Sequence, residues 1–272
     1  MSTETLPEYR VKARNTSNGE NPIHDDAVAQ RYGFRGALVP GVTVYAYLTH
    51  ALVQGLGTPW LERGTASVRF VRPVLPDEEV TVAGTVTARD ADGVTATAAA
   101  GTPTTPECAT VSATIPAGTP TPVNLSLYGV APLPATRPPV SREYLAGVTV
   151  LGSPETVYDE AQAAAYLDKV ADTLPLYRGG GGWVHPAFYL DQANRAIDRN
   201  VRLGPWVHVG SVIRHLGGAR VGESLVTRGR VRSLYERKGR HYVELDLVVT
   251  ARGRAVAHVL HTAIYQLPPP SS

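Results

Sequence analysis

The chain repeats itself at a constant spacing of 145 positions, for example 184 − 39 = 145 for one pair of valines. Identical pairs at this offset include Tyr32 and Tyr177, Val39 and Val184, Arg69 and Arg214, Glu78 and Glu223, Gly84 and Gly229, and Val86 and Val231. Because one offset runs through a helical stretch, a turn and strands without a gap, duplication of one structural unit is favoured over coincidence. The 272 residues then hold two units of ordinary domain size.

Each repeat combines a helical stretch with strands. Residues 42–53, VTVYAYLTHALV, are apolar on nearly every side, which predicts a buried helix rather than a surface one. The segments that follow are rich in β-branched residues and partly alternate, which predicts strands, and ARGR at 251–254 predicts a hairpin turn between the last two. The pattern indicates an α+β fold in which an antiparallel sheet wraps around a central helix, made twice. Pairing of the two sheets edge to edge would bury their open edges.

A proline-rich stretch separates the two repeats. Nine prolines lie between Thr102 and Pro139 in a segment with little charge, and its latter part is typical of an extended linker. We therefore expect an N-terminal unit at 1–118, a linker at 119–139 and a C-terminal unit at 140–272.

Composition excludes several classes of function. The net charge of +2 gives no strong field for nucleic acid or an anionic membrane. The single cysteine, Cys108, excludes an internal disulfide and a cysteine-rich metal cluster, and it fits a reducing compartment. The chain shows neither an apolar signal core nor an apolar run long enough to cross a bilayer, so we expect a cytoplasmic protein. Without a phosphate loop, a dinucleotide fingerprint or a metal-type histidine spacing, we expect neither cofactor nor metal.

The order of motifs in the first repeat resembles a known family. NPIHxD at 21–26 is followed by GFxxxLVxG at 33–41, the buried helix, and SVRFxxPVLPDEEV at 67–80. This order is similar to the MaoC-like, (R)-specific enoyl-CoA hydratase branch of the hot-dog fold, over residues 9–115. The second repeat is similar to the same fold without the motif. The resemblance implies a double hot-dog and a hydratase or dehydratase, a carbon–oxygen lyase of fatty acid metabolism, acting on enoyl or 3-hydroxyacyl thioesters of CoA or an acyl carrier.

The resemblance also assigns roles to residues of the motif. His24 is the expected base, Asn21 shapes the turn that presents it at the substrate, and the backbone N–H of Gly41 is the expected oxyanion donor at a helix start. The family's aspartate, five residues before the histidine, is replaced here by Gly19. Glu20 or Asn18 is the candidate substitute for that carboxylate.

The repeat itself predicts only one such site per chain. At the 145 offset His24 meets Lys169 and Gly41 meets Pro186, so the second unit lacks both the imidazole and the amide donor. The second unit is then expected to complete the pseudo-dimer and its acyl tunnel.

Two other functions remain open. A non-catalytic acyl-thioester binder is consistent with the glycine at position 19. A hot-dog thioesterase needs a carboxylate on the central helix, and the second helix offers Asp191 with His185 and Asn194 nearby in sequence. The separation 191 − 185 = 6 does not place His185 and Asp191 on one helix face. The remaining partner expectation is a homodimer of double hot-dogs.

Overall fold

The computed structural model describes residues 4–17 and 19–268. Its α-helices are α1 (Asp26–Arg31), α2 (Gly41–Leu56), α3 (Thr58–Arg63), α4 (Arg142–Gly147), α5 (Glu160–Lys169) and α6 (Pro186–Asp198), with 3-10 turns at Pro22–His24, Leu125–Leu127 and Pro175–Tyr177. Its strands are β1 (Glu4–Thr5), β2 (Tyr9–Lys12), β3 (Thr65–Phe70), β4 (Glu79–Asp90), β5 (Gly93–Thr102), β6 (Thr105–Pro116), β7 (Glu155–Tyr158), β8 (Val207–His215), β9 (Glu223–Arg237), β10 (Arg240–Ala251) and β11 (Arg254–Gln266).

The first unit wraps a sheet around α2. Its strand order is β1 and β2, both paired with β4, then β5, β6 and β3, all antiparallel. Every residue of α2 from Val42 to Val53 is buried, as the apolar run predicted. Alternate residues of β4, such as Val80 and Val82, are fully buried beneath it, which is the period expected for a sheet with one face on a core. The central helix and the strands after it are therefore as predicted.

The second unit repeats this arrangement around α6. Its strand order is β7, β9, β10, β11 and β8, again antiparallel. The predicted hairpin between the last two strands is present, and Arg252 and Gly253 at its tip have φ values of 48° and 76°. Turns with two positive φ angles match the twist of the flanking strands.

The two sheets join edge to edge through β3 and β8, which confirms the predicted pairing and gives one 11-stranded sheet among the described residues. In this junction Ser67 is the register partner of Val212, and 212 − 67 = 145. Each of the two residues therefore faces its own counterpart in the repeat, as at a two-fold axis. The chain is a tandem hot-dog of the α+β class.

A buried cluster of one carboxylate and two histidines links the two central helices. Asp172 precedes α6 and is almost fully buried. Its Oδ2 lies 3.1 Å from His185 Nε2 at the start of α6, and its Oδ1 lies 3.1 Å from His50 Nδ1 on α2. Residues from both units share this carboxylate, so their cores are tied directly to each other.

The segment between β6 and α4 crosses the outer face of the second sheet. Tyr128 in this segment donates a hydrogen bond of 2.8 Å to Asp246 on β10. The unit boundaries at 118 and 139 remain a prediction. No helix in the described ranges combines the length and apolarity that a bilayer crossing requires.

Candidate functional site

The motif loop folds so that His24 is left for a role other than helix capping. Asn21 caps the 3-10 turn Pro22–His24, with its Oδ1 accepting from Ile23 N at 3.2 Å. The following helix α1 is capped by Asp25, whose Oδ1 accepts from Val28 N at 3.0 Å. Both N-termini are thus satisfied without the imidazole.

Hydrogen bonding fixes the orientation and the tautomer of His24. Its Nδ1 lies 2.7 Å from the carbonyl oxygen of Leu38. A carbonyl only accepts, so Nδ1 carries the proton and Nε2 keeps a lone pair in the neutral ring. Asn21 Nδ2 lies 3.4 Å from this Nε2. The ring is therefore arranged as a base.

The surroundings of His24 keep it neutral. Burial lowers the pKa of His24 below its ordinary value, and the positive charge of Lys169 lowers it further, while the bond to Leu38 acts in the opposite direction. A histidine with a lowered pKa remains able to accept a proton at neutral pH.

Asn21 connects the motif loop to the second unit. Its Nδ2 donates to the Trp206 carbonyl at 2.9 Å, and its Oδ1 accepts from Trp206 N at 3.3 Å. Trp206 is buried, and its backbone positions the asparagine beside His24. Nothing in the sequence pattern signals this contact, because it joins residues 185 positions apart.

Gly41 begins the central helix next to the base. Pro40 makes no side-chain cap, so the N–H of Gly41 precedes the first helical acceptor and the positive end of the dipole is open. A Cβ at Gly41 would lie 3.2 Å from the Phe70 ring and 3.3 Å from His208 Nδ1. The glycine thus lets this helix start pack closely against both rings.

Two cavities meet at His24. We call them the apolar chamber and the polar chamber. The apolar chamber, about 220 Å³, is lined mainly by Phe34, Leu38, Val44, Phe70, Val74 and Ile264, and Gly41 and His208 also line it. The polar chamber, about 330 Å³, is lined by residues that include Glu20, Lys169, Asp191, Gln192, Arg195 and Asp198. The residues shared by both are Asn21, His24, Pro40, Asn194 and Trp206. A substrate that reacts at His24 can therefore extend in two directions.

The loop position that should hold the second acidic group is not shaped for one. Gly19 is exposed, with φ of 84°, a conformation that side-chain-bearing residues rarely adopt. Glu20 lines the polar chamber, but its Oε1 accepts from Arg199 at 3.0 Å and its side chain is 43% exposed. Asn18 lies outside the described residues.

Of the residues proposed for a thioesterase, Asp191 and Asn194 both line the polar chamber, whereas His185 does not. His185 caps α6 through Nδ1, which accepts from Ala187 N at 3.2 Å, and its Nε2 bonds Asp172. Asp191 instead pairs with Lys169 at 3.3 Å in the polar chamber. The recurrence of polar residues at helical spacing on α6, which includes Asp191, Asn194 and Asp198, was the available sequence signal for this wall of the polar chamber.

Comparison with known proteins agrees with this geometry. The model of the MaoC like domain matches residues 14–105, about a third of the chain. No curated protein sequence matches significantly.

Solved structures resemble the chain over nearly its whole length. A Chloroflexus aurantiacus protein described as a MaoC domain dehydratase has a TM-score of 0.64 at 13% identity, covering 97% of this chain and 94% of that one. A conserved Mycobacterium tuberculosis protein with a double hotdog fold has a TM-score of 0.59 at 16% identity, covering 97% and 96%. A Lactobacillus plantarum protein described as an oleoyl thioesterase has a TM-score of 0.54 at 13% identity, covering 99% and 98%. At these identities the likeness concerns the fold. Residues 14–105 thus match the model of the MaoC like domain, and the whole chain has the double hot-dog fold.

Proposed function

We propose that the protein is a MaoC-like hydratase or dehydratase of enoyl or 3-hydroxyacyl thioesters carried by CoA or an acyl carrier. The observation that supports this most strongly is His24, whose Nδ1–H is held by the Leu38 carbonyl and which lines both chambers. The open N-terminus of α2 lies beside it.

In hydration, His24 Nε2 takes a proton from water while the water oxygen bonds to C3 of the enoyl group. The electron pair of the double bond moves toward the thioester, and the Gly41 N–H hydrogen-bonds the oxygen on which negative charge develops. The imidazolium then returns a proton to C2, so the net reaction adds one water. Dehydration runs the same steps in reverse.

Both proton transfers are assigned to His24 because position 19 offers no carboxylate and Glu20 is paired with Arg199. Gly19 also gives the rival proposal its support, namely a protein that binds acyl thioesters without turning them over.

The test is hydration of short and medium enoyl-CoAs by the wild type, His24→Gln and His258→Gln, followed by loss of the enoyl-thioester absorbance. We expect His24→Gln to lose about 10²–10⁴-fold in rate. His258 lies on the sheet beside Asp246 and lines neither chamber, so His258→Gln should retain activity. Hydration that survives His24→Gln would overturn the proposal. Release of free CoA from saturated acyl-CoA would indicate a thioesterase, and tight binding without turnover would indicate the passive binder.

A further inference from the structure

One face of α6 is polar although most of the helix is buried. Asp191, Asn194, Arg195 and Asp198 follow each other at i, i+3, i+4 and i+7, and all of them line the polar chamber. Residues at this spacing share one face of a helix. The second unit thus contributes a polar wall opposite the motif loop of the first.

Three polar atoms of residues that line the polar chamber have no hydrogen-bond partner within the described part of the chain. They are Gln192 Nε2, Asn194 Oδ1 and Asp198 Oδ2. Gln192 is fully buried and its Oε1 accepts from Thr156 at 3.2 Å, which fixes the amide with its donor end unused.

Asp198 is arranged in the same way. It is 9% exposed, and its Oδ1 accepts a hydrogen bond from Arg137 at 3.1 Å. Its Oδ2 has no hydrogen-bond partner among the described residues. Buried polar groups are almost always hydrogen-bonded, and the exceptions call for an explanation. A ligand in the chamber that offers both a donor and an acceptor could form the hydrogen bonds that these three atoms lack.

Charge argues against an anionic ligand in the polar chamber. Lys169 is paired with Asp191 at 3.3 Å, and Arg199 with Glu20 at 3.0 Å. Asp198 adds a further carboxylate, and the guanidinium of Arg195 bonds the hydroxyl of Thr156 at 2.8 Å. With its cations largely engaged and three carboxylates in its lining, the chamber suits a neutral hydroxyl better than a phosphate or a carboxylate.

The apolar chamber is the better place for the carrier. Arg72 and Arg240 are exposed and line that chamber, where they can face the phosphates of a CoA or of a carrier arm. Gly41, the oxyanion donor, lines the same chamber. A thioester whose carrier leaves through the apolar chamber must direct its acyl chain past His24 into the polar one.

We propose that the polar chamber binds a hydroxyl-bearing acyl chain, so that the substrates of this protein are hydroxylated acyl thioesters. A hydroxyl group on the acyl chain can accept from Gln192 Nε2, or it can donate to Asn194 Oδ1 or Asp198 Oδ2. The inference rests on the proposed function for the placement of the thioester at His24, and it adds the class of acyl chain.

The test compares ω-hydroxylated with unsubstituted enoyl-CoAs, matched in chain length from four to eight carbons. The ratio of the two kcat/KM values is measured for wild type, Gln192→Leu and Asp198→Asn. We expect the wild type to prefer a hydroxylated chain by about tenfold or more, and each variant to reduce that preference severalfold. Gln54→Leu is the matched control, because Gln54 is exposed on α2 and lines neither chamber.

Binding of the matching saturated acyl-CoAs, measured by calorimetry, makes the result independent of turnover. A preference for the hydroxylated ligand that Gln192→Leu removes supports the inference even if the protein is not a hydratase. Equal affinity and equal kcat/KM for both series would overturn it while leaving hydration by His24 intact.

Thioesters of N-acetylcysteamine, which lack most of the carrier arm, give the final comparison. If the effect of Gln192→Leu persists with these short carriers and still depends on the acyl hydroxyl, the inference stands. If it disappears with every acyl group once the carrier is truncated, the polar chamber binds the pantetheine arm and the inference is wrong.

Discussion

The two central helices begin at equivalent positions of the repeat, but the groups at their N-termini differ. At α6, the imidazole of His185 accepts from Ala187 N, and Pro186 has no N–H to offer. At α2, Pro40 provides no side-chain cap, and Gly41 supplies an N–H at the same place. One helix start is thus closed by its own side chain while the other is left for a ligand. In a duplicated fold, changing a cap is sufficient to create or remove an anion site.

The segments that precede the two central helices also carry different residues at equivalent positions. The first unit places a neutral imidazole at position 24, whereas the 145 offset gives Lys169, which pairs with Asp191 and lowers the pKa of His24 from across the cleft. The second unit therefore forms one wall of the site in the first unit and influences the pKa of its histidine.

The largest predicted effect is a loss of stability when Asp172, whose carboxylate joins the two central helices, is substituted. Burial alone would raise the pKa of Asp172, but the hydrogen bond from His185 and the close contact with His50 outweigh it and hold that pKa well below its ordinary value. Asp172→Asn should lower the free energy of unfolding by roughly 3 kcal/mol, measured by urea denaturation at pH 7.

The difference in unfolding free energy between wild type and Asp172→Asn should depend on pH, because folding lowers the pKa of Asp172. A carboxyl whose pKa is depressed by folding contributes stability above its unfolded pKa, and this contribution is lost as the pH falls toward the folded pKa. The difference in the free energy of unfolding between wild type and Asp172→Asn should therefore become smaller below about pH 4. Asp168→Asn is the control, since Asp168 is exposed. Equal losses in the two variants would show that the helices are not held through Asp172.

The next effect tests the difference between the helix starts directly. Gly41→Pro gives α2 the residue that α6 has, and it removes the N–H while remaining compatible with a first helical position. We expect kcat for hydration to fall about 10²-fold or more. Gly41→Ala adds the same Cβ near Phe70 and His208 but keeps the N–H, so its loss should be much smaller. If both variants lost activity equally, steric contact rather than the amide would explain the effect.

The smallest effect concerns the charge of the second unit near the base. Lys169→Gln removes a positive charge that lowers the pKa of His24, so that pKa should rise. Because the neutral ring is the base, the acid limb of the pH profile of kcat/KM should move to higher pH. Lys12→Gln, at an exposed residue paired with Asp77, is the control. An acid limb that stays in place would mean that the second unit does not influence the base.

Local patterns were sufficient to predict much of the fold. The apolar run at 42–53 predicted a buried helix, ARGR predicted a hairpin, and the 145 offset predicted a second unit, because each depends on residues close together in sequence or on the repeat itself. Even the edge pairing of β3 and β8 followed from the need to cover two open edges.

The second wall of the site could not be predicted in the same way. The motif led to His24, Asn21 and Gly41, but the chamber opposite them exists only because α6 packs beside α2. The polar residues of α6 recur at helical spacing, but that pattern alone does not show which part of the fold they face. The backbone bonds of Trp206 to Asn21 arise from a contact between distant parts of the chain.

The continuous junction of β3 with β8 has a consequence for how such a protein can evolve. Two identical subunits meeting at that edge would carry two equal clefts, and every substitution in the helix facing a base would alter both. Covalent fusion removes this constraint. One half can keep the reacting groups while the other accumulates contacts suited to the far end of an unsymmetrical molecule, so the loss of a site in one repeat becomes the means by which the remaining site gains selectivity.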